Sequence, residues 1–433
     1  MKRGILHGMN PFLPSTLVSL AQQYSTPLWV YDAATITARI QALRAFDVVR
    51  FAQKANSNTH ILRLMKSLGV VVDAVSFGEI ERALAAGFKP GLHTVNGVNH
   101  AEIVFTADLF DRATLARVMA LGIPVNCGST DMLDQLGRLS PGHPVWLRIN
   151  PGFGHGHSNK TNTGGEHSKH GIWHAELVGA LAQVRANGLQ LQGLHMHIGS
   201  GVDYSHLQDV CGAMVALVHT VKAQGMDLHA ISAGGGLSIP YQAGEPTLDT
   251  AHYFALWDAA RQQIAALLGH AITLELEPGR YLVAESGVLV SEVRATKHQG
   301  SARFVMVDAG FSDLMRPAMY GSHHGMEILH PDGTAATGAL QSTAVAGPLC
   351  ESGDVFTQGE GGVVLNRDLP TAQVGDFLVL HDTGAYGASM SSNYNTRPLI
   401  AEVLVEGGAH FGTARLIRRK QTVAELIALE ATD

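Results

Sequence analysis

Residues 191–236 read LQGLHMHIGSGVDYSHLQDVCGAMVALVHTVKAQGMDLHAISAGGG, and the architecture follows from this stretch. Leu191–His197 and His229–Ala233 are short apolar runs that end in polar or glycine residues, HIGS and GGG. Between them Leu207–Gln224 places apolar residues at helical spacing. Strand, helix, strand over this length is a βαβ unit, whose strands are parallel. On either side the same unit recurs. Candidate strands are Asp47–Gln53, Val70–Val75, Ile103–Ala107, Ile123–Cys127, Val145–Asn150 and Ile272–Leu276. The helical patterns are Thr59–Leu68, Gly78–Ala86, Leu109–Leu121, Met132–Leu139, Ala175–Asn187 and Tyr253–Leu268. Several strands are continuously apolar, as expected of parallel strands covered on both faces. Eight alternations over roughly 230 residues predict a TIM-like (β/α)8 barrel, a fold of ~250 residues.

After Glu277 the texture changes. Val288–Lys297, Phe304–Val307, Ser342–Val345, Phe377–His381 and Ile400–Val405 read as strands separated by turn residues, and helical patterning returns only near Val423–Leu429. The expected fold class is therefore α/β plus β: a barrel over residues 31–279, and a mostly β domain over 280–433 that residues 1–30 join. The 433 residues allow two to three domains. A hydrophobic fraction of 46% excludes wholesale disorder. Thirty Lys and Arg against 37 Asp and Glu, a formal charge of −7, argue against nucleic-acid binding. No apolar run is long enough to span a membrane, and Met1–Pro14 lacks the apolar core of a signal peptide, so a cytoplasmic protein is expected. The 3 cysteines, Cys127, Cys211 and Cys350, are too few for a disulfide framework.

Barrels of this type carry their chemistry at the C-terminal ends of the strands. There the sequence places Lys54, Asp73, Arg148, His195, His197, Ser200, Gly234, Gly235, Gly236, Glu277 and Arg280. A strand-end lysine such as Lys54 forms a Schiff base with a carbonyl, or is an ordinary solvated lysine. Three consecutive glycines form an anion-binding nest or a tight turn. Glu277 suits a protonated ring nitrogen and Arg280 a phosphate or carboxylate, or the two pair with each other. His195 and His197 share one face of a strand, a spacing also found in zinc sites; His155/His157, His167/His170 and His323/His324 are further pairs. No HExxH or CxxC accompanies them, and no metal is expected. His197 suits stacking on a flat cofactor. In the β region Cys350 is a proton donor or nucleophile, or a small buried hydrophobe. Tyr386 and Asn393–Pro398 form polar and aromatic loop clusters of the kind that bind ligands.

A lysine, an anion nest, an acid for a ring nitrogen and a ring-covering histidine are together what pyridoxal phosphate requires. The chain resembles the fold-type III pyridoxal-phosphate decarboxylases. The segments that carry the resemblance are FAQKANSNTHILRLM (51–65), SFGEIERALAAGF (76–88), NPGFGHGHSNKTNTGGEHSKHGIW (150–173), HMHIGSG (195–201), SAGGGLSIPY (232–241), LEPGR (276–280), VDAGFSDLMRPAMYG (307–321), GPLCESGDVF (347–356) and HDTGAYGASMSSNYNTRP (381–398). It implies an alanine racemase-like barrel and β domain, with pyridoxal 5'-phosphate on Lys54. His197 would stack on the cofactor ring, with Ser200 and Asp73 nearby. Gly234–Gly236 and Arg280 would hold the phosphate, and Glu277 would pair with the ring nitrogen. Arg280, Arg316, Tyr320 and Tyr386 would contact substrate, Glu351 would bind a distal ammonium and Cys350 would protonate the product carbon. The resemblance further implies a homodimer with shared active sites, in which the CESGD segment serves the partner. The implied reaction converts meso-2,6-diaminopimelate to L-lysine and CO2; a distal ammonium with a distal carboxylate calls for an acid and an arginine, met by Glu351 and Arg316. Other readings are a decarboxylase of ornithine or arginine, a non-catalytic pyridoxal-phosphate-binding protein, and a metal-dependent barrel hydrolase. The tyrosine–lysine pair of the alanine racemases is not evident.

Overall fold

The computed structural model describes residues 11–95, 98–154, 164–197, 199, 204–407 and 412–430. The chain forms two compact units. The barrel unit comprises Ile40–Ser238 and Leu248–Gly279; the β unit comprises Met1–Arg39, Ile239–Thr247 and Arg280–Asp433.

In the barrel unit the strands are β1 (Val48–Ala52), β2 (Val71–Ala74), β3 (Ile103–Ala107), β4 (Val125–Cys127), β5 (Pro144–Asn150), β6 (Gln190–His195), β7 (Ala230–Ser232) and β8 (Thr273–Leu276). Each pairs in parallel with the next, and β8 returns to β1 with Glu275 opposite Val48, closing the ring. The helices between them are α1 (Thr59–Ser67), α2 (Phe77–Ala85), α3 (Arg112–Leu121), α4 (Thr130–Leu139), α5 (Leu177–Ala186), α6 (Tyr204–Ala223) and α7 (Thr250–Leu268). Short polar side chains start several of them: Asn58, Ser76, Asp111 and Asp249 accept hydrogen bonds from backbone N–H groups of the first turn of α1, α2, α3 and α7. Gly122 and Gly269 close α3 and α7 in the left-handed conformation that favours glycine. The wall also holds a buried ion pair that the apolar pattern did not signal. Arg50 on β1 donates from Nη2 to Glu275 Oε2 at 2.9 Å, and from Nη1 to the Ala101 carbonyl at 3.0 Å. Two small elements were likewise not foreseen, a hairpin of Leu92–Val95 with Val98–Ala101 and the two-residue strand Ile172–Trp173 beside β5.

In the β unit one sheet runs in the order Arg367–Leu369, Gln341–Ala346, Ala302–Val307, Gly287–Gln299, Leu28–Asp32, Ala401–Glu406, Thr413–Arg418. Phe377–Leu380 pairs with both Gly287–Gln299 and Met326–Leu329. Leu28–Asp32 is wholly buried, antiparallel to Gly287–Val290 and parallel to Ala401–Val405. This strand draws residues 31–39, read above with the barrel, into the β unit, and residues 239–247 group there too. The core packs Leu17, Val18 and Leu20 of the helix Pro14–Tyr24 against Leu28, Val30, Val288, Val290, Val379 and Val403. Among the described residues no helix is long and apolar enough to cross a membrane.

Candidate active site

At the C-terminal end of β8 the chain turns through Glu277, whose N–H donates to the Gly234 carbonyl at 2.7 Å. Its carboxylate is buried: Oε2 lies 2.7 Å from His195 Nε2, and Oε1 accepts from Ser232 Oγ at 3.1 Å. Burial works against its charge, but His195 and then Arg50 outweigh it and hold the carboxyl well down, to about 2. Asp73, at the end of β2, goes the other way. Burial, then the Glu277 charge, raise it well above the usual range, against the opposing hydrogen bond from Thr106 Oγ1 at 2.6 Å. Two buried acids under mutual influence are pushed in opposite directions, Glu277 down and Asp73 up.

The glycine loop after β7 is shaped by crowding. Gly234 has φ +62°, and a Cβ there would lie 2.3 Å from the Met196 carbonyl; Gly236 has φ +95°, and its Cβ would lie 2.1 Å from the Gly199 carbonyl. Gly235 N–H donates to His197 Nδ1 at 3.2 Å. That nitrogen therefore carries no proton, and burial followed by the charges of Arg148 and Lys54 push the imidazole well below its ordinary range. Lys54 sits in the single turn Gln53–Ala55 directly after β1, with its side chain exposed. The Ala52 N–H donates to the Pro278 carbonyl at 3.1 Å, and Gly279 packs so tightly that a Cβ would lie 3.2 Å from the Ala52 carbonyl. The lysine turn and the EPG turn are thereby fastened together. Ser200 lies outside the described residues, as do His155 and His157. His195 and His197 are each engaged as described rather than turned to a common ligand. Asp227, His229 and His270 do bring three potential ligand atoms within 4.8 Å of one another, with His270 ion-paired to Asp227 at 3.0 Å.

The β unit contributes a different constellation. Arg280 Nη1 donates to Tyr241 Oη at 2.8 Å, and its guanidinium carbon lies 5.1 Å from the Tyr386 ring centre. Arg316, which opens the short helix Arg316–Tyr320, lies 4.8 Å from the Tyr241 ring centre and donates from Nη1 to His324 Nε2 at 2.9 Å. Tyr320 adds to the electrostatic field at Arg280. Arg316 is only 5% exposed, yet among the described residues neither arginine has a carboxylate in ion-pair contact. Tyr386 takes φ +57°, a costly conformation for a bulky residue and one that concentrates at functional sites. Cys350 is exposed, which rules out the buried-hydrophobe alternative. Its N–H donates to Asn395 Oδ1 at 2.9 Å, and Tyr394 Oη lies 3.4 Å from Glu351 Oε2. Among the described residues no hydrogen bond or ion pair joins this corner to Arg280 or Arg316. Sequence reading did not single out Tyr241 or His324 for this cluster. Tyr241 does close the SAGGGLSIPY segment, which was its available signal.

Comparison with known proteins agrees with this geometry. Residues 34–284 match the family of the pyridoxal-dependent decarboxylases through its pyridoxal-binding domain. The diaminopimelate decarboxylase of Escherichia coli K12 is 64% identical over 415 residues, 96% of each chain, and that of Streptomyces coelicolor 63% identical over 414 residues, 96% of this chain and 91% of the other. A crystal structure of a diaminopimelate decarboxylase superposes with TM-score 0.89 at 62% identity, covering 95% of both chains. The Helicobacter pylori enzyme in complex with L-lysine superposes with TM-score 0.83 at 30% identity, covering 95% of this chain and 98% of that one. The chain is thus a pyridoxal-dependent decarboxylase of fold type III. Within that class it belongs to the diaminopimelate decarboxylase family.

Proposed function

We propose that this protein decarboxylates meso-2,6-diaminopimelate to L-lysine and CO2 with pyridoxal 5'-phosphate as cofactor. The observation that carries the reading is the pair Arg280 and Arg316. A buried guanidinium without an anionic partner is costly. Arg316, buried, and Arg280, half-buried, have no carboxylate in ion-pair contact among the described residues and are flanked by tyrosines; they suit a ligand that brings its own anions, as a dicarboxylate substrate and a phosphorylated cofactor do. An ornithine-type substrate has a distal ammonium alone and calls for acids instead.

The barrel mouth fits the cofactor. Cβ atoms on the glycine loop would collide with the chain's own backbone carbonyls, so only glycine lets the loop take this course, and a run of glycines of this kind is what anion nests are built from. Gly234, Gly235, Gly236 and Arg280 would hold that phosphate, and Lys54 would anchor the aldehyde. When bound, the cofactor supplies an electron sink for the bond that loses CO2. Glu277, ionised and fixed by His195 and Ser232, would keep a proton on the ring nitrogen. His197, uncharged, would cover the ring without opposing that proton. Arg316 and Tyr320 would bind the distal carboxylate, Glu351 the distal ammonium, and Tyr386 would touch cofactor and substrate. Cys350 would deliver the proton to the carbon left by CO2. Its exposed corner, unjoined to the arginine pair, supports action on a partner's site in a homodimer with shared active sites. We place the enzyme in the cytoplasm. Ser200 keeps the cofactor-contacting role that the resemblance implies.

The test is a CO2-release assay with meso-diaminopimelate, ornithine, arginine and lysine side by side. Diaminopimelate should exceed the others in kcat/KM by on the order of 10²-fold or more, the discrimination expected when one substrate alone pairs a buried charge. Preference for ornithine or arginine would overturn the assignment, and absence of CO2 from all four would favour a non-catalytic protein.

A further inference from the structure

Arg316 is held without being neutralised. A guanidinium only donates, so at the 2.9 Å contact His324 Nε2 must accept. The imidazole proton then resides on Nδ1, which donates to the His381 carbonyl at 2.8 Å. His324 is 1% exposed, and both its ring nitrogens are committed to protein partners. The Tyr241 ring stands edge-on to His324, with centroids 5.5 Å apart and planes at 80°, and it also lies under the Arg316 guanidinium. Imidazole and phenol rings thus form two walls of a corner that fixes the plane of the arginine. Burial and the adjacent Arg316 charge keep His324 well below its ordinary range, in keeping with its accepting role. A carboxylate in its place would orient Arg316 equally well and cancel the charge a ligand needs. A neutral acceptor whose second nitrogen is tied to backbone orients the group and leaves its charge available.

We infer that His324 is a positioning residue that aims the Arg316 guanidinium at the distal carboxylate of the substrate while leaving its charge unpaired. The inference rests on the role proposed for Arg316, and the variants separate the two. In His324→Leu holoenzyme KM for meso-diaminopimelate should rise by about tenfold or more, the scale of one hydrogen bond to a charged group. The kcat should stay within about twofold, because no group near the broken bond has changed. Cofactor absorbance should be unaltered. His324→Gln offers an amide oxygen to Arg316 and an amide N–H to the His381 carbonyl, and should return KM to near the parent value. His324→Glu keeps an acceptor but adds the cancelling charge, and should raise KM above that of His324→Gln by about tenfold or more. A merely structural role predicts the reverse emphasis: kcat and cofactor binding fall, and Gln rescues no better than Glu. If His324→Leu does not fold, the Gln and Glu pair carries the test, and equal KM values for the two overturn the inference. If Arg316→Ala raises KM while His324→Gln, His324→Glu and the parent agree, only the positioning role falls. If Arg316→Ala also leaves KM unchanged, the reading of Arg316 falls with it.

Discussion

The mouth of the barrel and the arginine cluster of the β unit solve opposite electrostatic problems. At the barrel mouth the decisive charge is negative and already partnered: Glu277 is held by His195 and Ser232, while burial and the Glu277 charge push Asp73 up. In the β unit the decisive charges are positive and among the described residues lack an ionic partner, for Arg280 and Arg316 are framed by aromatic rings and His324. A site whose charge is already partnered suits a resident cofactor that does the same chemistry for any amino acid. A site with charge in reserve suits the molecule that changes each turnover. Chemistry and choice of substrate are therefore expected to respond to different mutations.

The largest effect should fall on the barrel side. Lys54→Ala should reduce kcat by on the order of 10⁴-fold or more for every substrate, as loss of a covalent catalyst does. Borohydride reduction and peptide mapping of the parent should put the pyridoxyl group on Lys54; an adduct on another lysine would place the cofactor elsewhere. Cys350→Ala should lower kcat by roughly 10²- to 10⁴-fold, the usual range for a lost general acid. Mixing it with Lys54→Ala should restore up to about a quarter of parental activity after random subunit exchange, since half the dimers are mixed and half of their sites are whole. No recovery, with exchange confirmed by mass, would confine Cys350 to its own subunit.

Arg316→Ala should act on recognition alone. Its kcat/KM for meso-diaminopimelate should drop by one to three orders of magnitude, as loss of a buried charged contact costs on the order of 2–5 kcal/mol. Cofactor absorbance should not change; if it does, the separation of duties between the two regions fails. The smallest effect concerns stability. Asp73 is raised on folding, so between its unfolded and folded values the native state binds the extra proton, and its ionisation cost destabilises the fold as pH rises. Asp73→Asn should accordingly melt a few degrees above the parent at pH 8, the scale of about 1 kcal/mol in a unit of this size. The advantage should shrink toward zero as pH falls to ~4, near the unfolded carboxyl value. A difference independent of pH would mean that Asp73 is not protonated in the fold.

The barrel strands could be read from sequence because several are continuous apolar runs, as strands covered on both faces are. The edge strand Thr413–Arg418 exposes half of its residues, and Met326–Leu329 and Arg367–Leu369 are short, so neither periodicity nor composition marks them. Lys54, Glu277 and the glycine triplet announced themselves by position after strands. The supporting groups did not. Nothing near His324 in the chain signals that it accepts from Arg316. The upward push on Asp73 comes from its burial and then from Glu277, far away in the chain, and such coupling leaves no local pattern. Tyr241 was quoted within a motif, but its place between two guanidiniums arises only from three-dimensional packing.

The strand Leu28–Asp32 has a consequence for how the chain is made. It lies in the middle of its sheet, yet one neighbour is Gly287–Val290 and the other Ala401–Val405. A ribosome adding ~5–20 residues per second emits the second neighbour roughly 20–70 s after the strand itself. Throughout that interval LWVYD is an apolar β segment with at least one edge unpaired, the kind that recruits strands from other nascent chains. The barrel unit, nearly all of which is synthesised in the meantime, can fold first. The β unit cannot close until residues 401–405 have been made, which makes the strand Leu28–Asp32 a point at which expression is exposed to aggregation.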